Sequence, residues 1–239
     1  MTPPAGSSRS VDLRTMLIAT CRELTRRGLT QGTSGNVSVR CDEDRFLISP
    51  SGMDYEALHT EDVPLMDLTG RWFGRCRPSS EWRFHRDILA SRPDVGAIVH
   101  THSALATALA CTGRGIPAFH YMVAVAGGSD IRCAAYHTFG TRELSAAALA
   151  ALQDRKACLL ANHGVIATGA DLAGAIALAA EVENLARQYC AALQLGDVRV
   201  LDDAEMRRVL EKFGTYGQQS AADADLVFGG AQPVPFEGR

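Results

Sequence analysis

Histidine residues stand where two apolar runs of this 239-residue sequence end. His100 and His102 close one run, and His163 follows the run 157–161. Because alternate side chains of a strand project to the same face, His100 and His102 can both reach one metal ion. A catalytic zinc ion takes about three protein ligands and leaves one position open. The pattern therefore predicts a zinc site held by His100, His102 and His163, with Gly164 letting the chain turn closely past it.

Spacing alone leaves other interpretations open. A His-x-His pair is more often a surface or capping feature than a metal site, and a single Asn-His-Gly is weaker still. Four further histidines compete as ligands, and spacing does not exclude them: His59, His85, His120 and His137.

Three short clusters combine small residues with a hydroxyl or amide side chain. Exposed backbone N–H groups in such clusters can surround a phosphate. The third cluster lies where a helix is predicted to begin, and the helix dipole favours an anion there. Each cluster alone could be an ordinary turn, or an N-cap formed by Ser79 or Ser80. The candidate anion-binding residues are Gly35, Asn36, Ser51, Gly52, Ser79 and Ser80.

Glu81 directly follows the third cluster. A carboxylate at such a place can act as a general base, because a nearby cation sets its charge form. It can equally be a first-turn acid that complements the helix dipole. The residues themselves leave both interpretations open.

Predicted strands alternate with predicted helices along the chain. Helices are predicted at 11–27, 81–90, 103–111, 141–152, 171–195 and 202–213. Strands are predicted at 37–40, 45–48, 64–68, 71–74, 95–101, 131–136 and 157–161. The first four strands form two hairpins, so the pattern predicts one α/β domain with a central mixed or antiparallel sheet flanked by helices. That domain is expected to span 11–217, between a flexible N-terminus (1–10) and a loosely ordered tail (218–239).

Composition and charge argue against some kinds of binding partner. The formal net charge is −3, which gives no electrostatic reason to expect nucleic acid or an anionic membrane. No apolar run reaches the roughly 18 residues of a membrane-spanning helix, and the N-terminus lacks the apolar run of a secretory signal. Seven scattered cysteines without a Cys-x-x-Cys pair indicate reduced thiols. We expect a soluble, cytoplasmic protein with neither nucleic acid nor membrane as a partner.

These segments together resemble the class II aldolases of the aldolase/adducin superfamily, and within it the fuculose-phosphate branch. The resemblance runs in order over nearly the whole predicted domain. His-x-His and Asn-His-Gly belong to the superfamily at large, whereas the stretches 116–122 and 212–217 point to that branch. The matching stretches are 31–40, 78–85, 99–102, 116–122, 138–144, 162–164 and 212–217.

The resemblance implies a specific site. The histidines that match His100, His102 and His163 bind zinc, one ion per subunit. The glutamate that matches Glu81 is the catalytic acid/base and can also approach the metal. The residues that match the six anion-binding candidates hold the phosphate of the substrate.

The resemblance also implies a homotetramer with active sites between subunits. Tyr121 and Tyr216 match tyrosines that a neighbouring subunit supplies at the aldehyde end of the substrate, and Phe139 matches a residue that lines the same end. The expected activity is zinc-dependent cleavage of a ketose 1-phosphate, first of all L-fuculose 1-phosphate. Its products would be dihydroxyacetone phosphate and L-lactaldehyde.

Three other readings stay open at this point. One is an aldolase for 5-deoxyribulose or methylthioribulose 1-phosphate. Another is a ribulose-phosphate 4-epimerase, although such epimerases tend to have aspartate in place of Glu81. The third is a non-enzymatic module like the adducin heads, which predicts a damaged metal triad, whereas His100, His102 and His163 are all present.

Overall fold

Eight strands form one mixed sheet in the computed structural model, which describes residues 8–214. The order across the sheet is β4-β3-β2-β1-β5-β8-β7-β6, and every neighbouring pair is antiparallel except β6 and β7. The predicted fold class is therefore confirmed. The strands are β1 (Asn36–Arg40), β2 (Arg45–Ile48), β3 (Leu65–Asp67), β4 (Trp72–Phe73), β5 (Ala97–Thr101), β6 (Cys133–Ala134), β7 (Ala157–Leu160) and β8 (Gly164–Gly169).

Six α-helices accompany the sheet within the described residues. As predicted, Asp171 and Asp202 are N-caps, and their carboxylates accept the backbone N–H groups of Gly174 and Glu205. The first helix begins three residues before its predicted start. The helices are α1 (Ser8–Arg26), α2 (Trp82–Ser91), α3 (Ala104–Cys111), α4 (Arg142–Ala151), α5 (Leu172–Leu195) and α6 (Asp203–Phe213).

Two apolar layers cover the two faces of the sheet. On β5, Val99 packs into the layer formed with α1, α3 and α5, whereas Ile98 packs into the layer formed with α2 and α4. Because strand side chains alternate, His100 lies on the same face as Ile98. In the β1–β5 register, Asn36 stands opposite His100 and Ser38 opposite Ile98. The face under α2 thus carries polar side chains where the sheet meets the start of that helix.

Strand β8 was not predicted, and the predicted strand 131–136 is reduced to Cys133–Ala134. β7 and β8 form a hairpin in which Leu160 pairs with Gly164. Asn162, at its tip, has φ +54°, a left-handed conformation that Asn tolerates better than most residues. This tight turn places His163 at the edge of the sheet beside the end of β5.

The predicted N-cap of α2 is wrong. The helix begins at Trp82, so Glu81 occupies the cap position, and it makes no side-chain capping hydrogen bond. The Ser79 hydroxyl accepts the N–H of Glu81 at 3.2 Å. Glu81 is therefore not a local capping group, and its side chain is available to the sheet face below.

The described residues contain no helix that is long and apolar enough to cross a membrane. All seven cysteines lie within the described residues and are free thiols, as predicted.

Candidate metal centre

Four side chains from four different segments converge at one edge of the sheet. His100 ends β5, His102 follows that strand, His163 lies in the β7–β8 turn, and Glu81 precedes α2. One ligand atom from each of them lies within 4.8 Å of all the others. The structure thus brings together the three histidines predicted as ligands and the predicted carboxylate.

A backbone hydrogen bond orients the imidazole of His100. Its Nδ1 lies 2.8 Å from the carbonyl oxygen of Val165 on β8, so Nδ1 carries the proton and donates it. In the neutral form of this ring, which is the form that binds a metal, the lone pair of Nε2 faces the cluster. That atom lies 3.0 Å from Nε2 of His102 and 3.2 Å from Oε2 of Glu81.

Glu81 is 6% exposed and has an incomplete set of partners. Its Oε2 accepts a hydrogen bond from Asn36 Nδ2 at 3.0 Å. Its Oε1 lies 3.2 Å from His163 Nε2, yet no group within residues 8–214 donates a hydrogen bond to it. Burial raises the pKa of Glu81, but His100 and His163 lower it by more, so the carboxyl group is ionised.

These groups fit a metal ion of the zinc type. Burial, with further contributions from His100 and His163, lowers the pKa of His102 to about 4, so this imidazole is neutral at pH 7, the form that binds metal. Three imidazole nitrogens and a carboxylate oxygen form a donor set that zinc accepts. A buried carboxylate oxygen without a hydrogen bond is costly unless something else neutralises it. A cation among these four side chains would do so.

The cluster opens into a cleft of about 290 Å³. Gly35 lets the chain pass close to the end of β5. It has φ +84°, and a Cβ atom there would lie only 2.8 Å from the carbonyl oxygen of His100. A β-bridge between Pro50 and Pro78 joins the second anion cluster to the third. Six predicted anion-binding residues line this cleft: Gly35, Asn36, Ser51, Gly52, Ser79 and Ser80.

The backbone of one cluster is partly engaged already. The N–H of Ser51 donates to the carbonyl oxygen of Arg77 at 3.1 Å. A contribution of Ser51 to anion binding would therefore come from its hydroxyl group. Ser79 is buried, whereas Ser51, Gly52 and Ser80 are exposed at the cleft.

The competing histidines are not part of the four-residue cluster, which is the one group of this kind within residues 8–214. His59 is exposed, and the Nδ1 of His120 accepts the backbone N–H of Met122. His85 is fully buried and bonds to Asn36 and Ser38 rather than to the cluster. His137 lines the cleft without belonging to the cluster. The tertiary structure thus leaves these four histidines outside the cluster, a separation that spacing alone could not show.

The three aromatic candidates separate in space. Phe139 lines the cleft and is 63% exposed. Tyr121 is 49% exposed and lines a different cleft, next to α6. Tyr216 lies outside the described residues. Of these three aromatic residues, therefore, Phe139 is the one that lies at the cleft of its own chain in the described structure.

Comparison with known proteins assigns the fold to a family. Residues 15–190 match the family described as Class II Aldolase and Adducin N-terminal domain. The chain is 58% identical over 210 residues to 5-methylthioribulose-1-phosphate/5-deoxyribulose-1-phosphate aldolase of Rhodospirillum rubrum, covering 88% of this chain and 95% of that protein. It is 51% identical over 206 residues to L-fuculose phosphate aldolase of Escherichia coli K12, covering 86% and 95%. The chain belongs to the class II aldolase and adducin family.

A solved structure of L-fuculose 1-phosphate aldolase superposes with a TM-score of 0.83 at 42% identity, covering 87% of this chain and 98% of that one. The protein is accordingly an aldolase, and so a lyase. The expected resemblance to this family is confirmed.

Six further residues of the aldolase line the cleft and were not among the predicted site residues: Thr33, Ser34, Pro50, Tyr136, His137 and Asn162. Thr33 and Asn162 stand within segments already singled out for their Gly-Asn and Asn-His-Gly patterns. Tyr136 and His137 follow the two-residue strand β6, and no local pattern marks them. Their position depends on β6 pairing in parallel with β7.

Proposed function

We propose that this aldolase is zinc-dependent and cleaves a ketose 1-phosphate between C3 and C4 into dihydroxyacetone phosphate and a short aldehyde. One observation carries the proposal: a cluster of three imidazoles and a carboxylate, of which His100 and Glu81 are buried, opens into a cleft lined by the three predicted anion-binding clusters. Such a cleft suits a substrate with a phosphate at one end and a reacting carbon next to the metal.

His100, His102 and His163 would hold the metal, and Glu81 can join them when no substrate is bound. A zinc ion held there supplies Lewis-acid polarisation of the ketose carbonyl group. The tautomer of His100 fixed by Val165 prepares the site, because its lone pair already points into the cluster.

Glu81 would move the proton at C3. In the synthetic direction its carboxylate removes a proton from C3 of dihydroxyacetone phosphate, and the electron pair left on C3 attacks the aldehyde carbon. Tyr121 of a neighbouring copy then donates a proton to the oxygen on the new C4. In cleavage each step is reversed: the C3–C4 bond breaks, Tyr121 takes the hydroxyl proton, and Glu81 returns a proton to C3.

Schiff-base chemistry has no support in this cleft. The sequence contains two lysines, Lys156 and Lys212. Each lines a different cleft, and neither lines the one that contains Glu81. A lysine nucleophile would have to lie there, next to the substrate carbonyl.

A homotetramer forms part of the proposal. Tyr121 is exposed and lies outside the cleft of its own chain, so its part in the reaction requires another copy to bring it there. Tyr216 is proposed for the same end of the substrate, together with Phe139.

Two kinds of sugar are candidates, and they differ only beyond C4. The sequence stretches 116–122 and 212–217 and the E. coli relative support L-fuculose 1-phosphate. The greater identity to the R. rubrum relative favours 5-deoxyribulose or 5-methylthioribulose 1-phosphate. Tyr136 and Phe139 present two exposed rings at the cleft, which would suit the apolar methyl or methylthio end of either kind.

The test offers purified protein the three sugar phosphates side by side and measures release of dihydroxyacetone phosphate, with and without a chelator. We expect chelator-sensitive release from at least one of them, restored by added zinc. The aldehyde identifies the sugar: lactaldehyde, acetaldehyde or (methylthio)acetaldehyde. If metal-loaded protein released dihydroxyacetone phosphate from none, or if release survived complete removal of metal, the proposed function would be wrong.

A further inference from the structure

A buried chain of hydrogen bonds leads from Glu81 into the layer between β1 and α2. Asn36 Nδ2 donates to Glu81 Oε2 at 3.0 Å, and Asn36 Oδ1 lies 2.5 Å from His85 Nε2. His85 Nδ1 lies 2.7 Å from the Ser38 hydroxyl. His85 and Ser38 are 0% exposed and Asn36 is 4% exposed, so water does not interrupt the chain.

The secondary structure explains why these residues meet. Asn36 and Ser38 are two apart on β1, so both project to the face under α2. Glu81 and His85 are four apart at the start of α2, so they lie one turn apart on the same side of the helix. The two polar residues of β1 therefore face the two polar residues at the start of α2.

The hydrogen bond from Asn36 Nδ2 to Glu81 Oε2 determines the direction of the other bonds in the chain. A carboxylate only accepts, so Asn36 must present its NH₂ group to Glu81 and its carbonyl oxygen to His85. His85 must then carry its proton on Nε2, and its Nδ1 accepts from the Ser38 hydroxyl. Burial lowers the pKa of His85 to about 3, so the ring has one proton to place at pH 7.

We propose that His85 is a positioning residue for Glu81: as the Nε2–H tautomer, it donates to the Asn36 oxygen, anchors the amide that bonds to Glu81 and so keeps the Glu81 carboxylate aimed at the reacting carbon. Without a donor at this position, the buried oxygen of Asn36 has no partner, and the amide that bonds to Glu81 loses its second anchor. The inference rests on the proposed role of Glu81 as the acid/base.

Two amide variants separate positioning from packing. In His85→Gln the side-chain amide reaches the place of Nε2 and can still donate to Asn36. In His85→Asn the amide reaches only the place of Nδ1 and can bond to Ser38 alone. We expect His85→Asn to lower kcat about 10–100-fold with KM changed by less than about twofold, and His85→Gln to recover most of that loss.

Ser145→Ala is the matched control. The buried hydroxyl of Ser145, on α4, donates to Asp87 at 2.6 Å; Asp87 lies on α2, as His85 does, but this bond does not lead to Glu81. We expect this variant to lower the melting temperature without changing kcat. Equal kcat values for His85→Gln and His85→Asn, or a loss of kcat that follows the melting temperature in all three variants, would overturn the positioning role.

A second measurement needs no substrate and no variant. Long-range ¹H–¹⁵N correlation spectra of the zinc-loaded protein should show His85 as the neutral Nε2–H tautomer. An Nδ1–H tautomer or a charged ring at pH 7 would overturn the inference. Failure of the proposed function would be seen separately, as an absence of aldol cleavage by the wild-type protein.

Discussion

Glu81 and Glu183 are buried to almost the same degree, 6% and 8% exposed, but their surroundings differ. Both oxygens of Glu183, on α5, accept backbone N–H groups at the start of α3: Leu105 at 3.0 Å and Ala106 at 2.9 Å. Glu81 faces His100 and His163, and its Oε1 accepts no hydrogen bond from residues 8–214.

The difference separates a carboxylate that stabilises the fold from one that is available for the reaction. Glu183 satisfies the N–H groups that a helix leaves without partners at its start, and the helix dipole stabilises its charge. Both oxygens of Glu183 therefore have hydrogen-bond partners within the fold. Within residues 8–214, Glu81 has a buried oxygen without a hydrogen bond, which costs free energy. Buried polar atoms of this kind are concentrated at functional sites. Substitutions can test this contrast.

The largest effect is expected at the metal itself. His102→Ala should remove zinc and activity together, because three imidazoles become two. Since even outer partners of metal ligands cost about 10–100-fold, loss of a ligand should leave activity below about 1% of wild type. Metal content by mass spectrometry and dihydroxyacetone phosphate release would be measured on the same samples. The exposed His59, replaced by Ala, serves as control, and a fully metallated and active His102→Ala variant would refute the ligand assignment.

The next effect concerns the unsatisfied carboxylate. Glu81→Gln should lower kcat about 10²–10⁴-fold while zinc stays bound, because the amide keeps the shape but cannot take a proton. Near-normal cleavage by this variant would exclude Glu81 as the acid/base.

The matched substitution at the other carboxylate should show the reverse. Glu183→Gln turns an NH₂ group towards a backbone N–H of α3 and should cost about 1–3 kcal/mol of unfolding free energy with kcat unchanged. Glu181→Gln is the control, because Glu181 lies on the same helix and bonds only weakly, to Asn184 at 3.4 Å. Denaturant unfolding measures the cost. A loss of kcat at unchanged stability would mean that Glu183 belongs to the chemistry.

The features of the site that depend on local sequence patterns could be predicted. Alternation on β5 put His100 and His102 within reach of one ion, and the apolar run before His163 marked a strand end. The competition from His85 could not be resolved locally, because its partners Asn36 and Ser38 are 49 and 47 residues away.

Two of the wrong predictions concern a hairpin and a helix cap. Strand β8 was missed although the short apolar run after His163, separated from β7 by a brief turn, is typical of a hairpin. The N-cap of α2 was predicted from the preference of serine for that position. Glu81 stands there instead, because its contacts with Asn36, His100 and His163 outweigh the small free energy of a cap.

The smallest effect is expected at Asp67, a third buried carboxylate, which resembles Glu183 in being satisfied. Its oxygens accept hydrogen bonds from Thr69 and from both the backbone and the guanidinium of Arg71. Burial raises the pKa of Asp67, but these bonds lower it by more, from 3.8 to about 2.

A lowered native pKa means that the carboxylate stabilises the fold above the unfolded value near pH 4, and that this stability is lost as pH falls towards 2. Asp67→Asn should therefore cost about 1 kcal/mol at pH 7, a figure reduced because Arg71 is largely exposed. The difference from wild type should shrink below pH 4 in denaturant unfolding followed across pH. Asp94→Asn, at an exposed pair with Arg92, should change little. A cost for Asp67→Asn that persisted unchanged at pH 2–3 would mean that shape, not charge, makes this carboxylate structural.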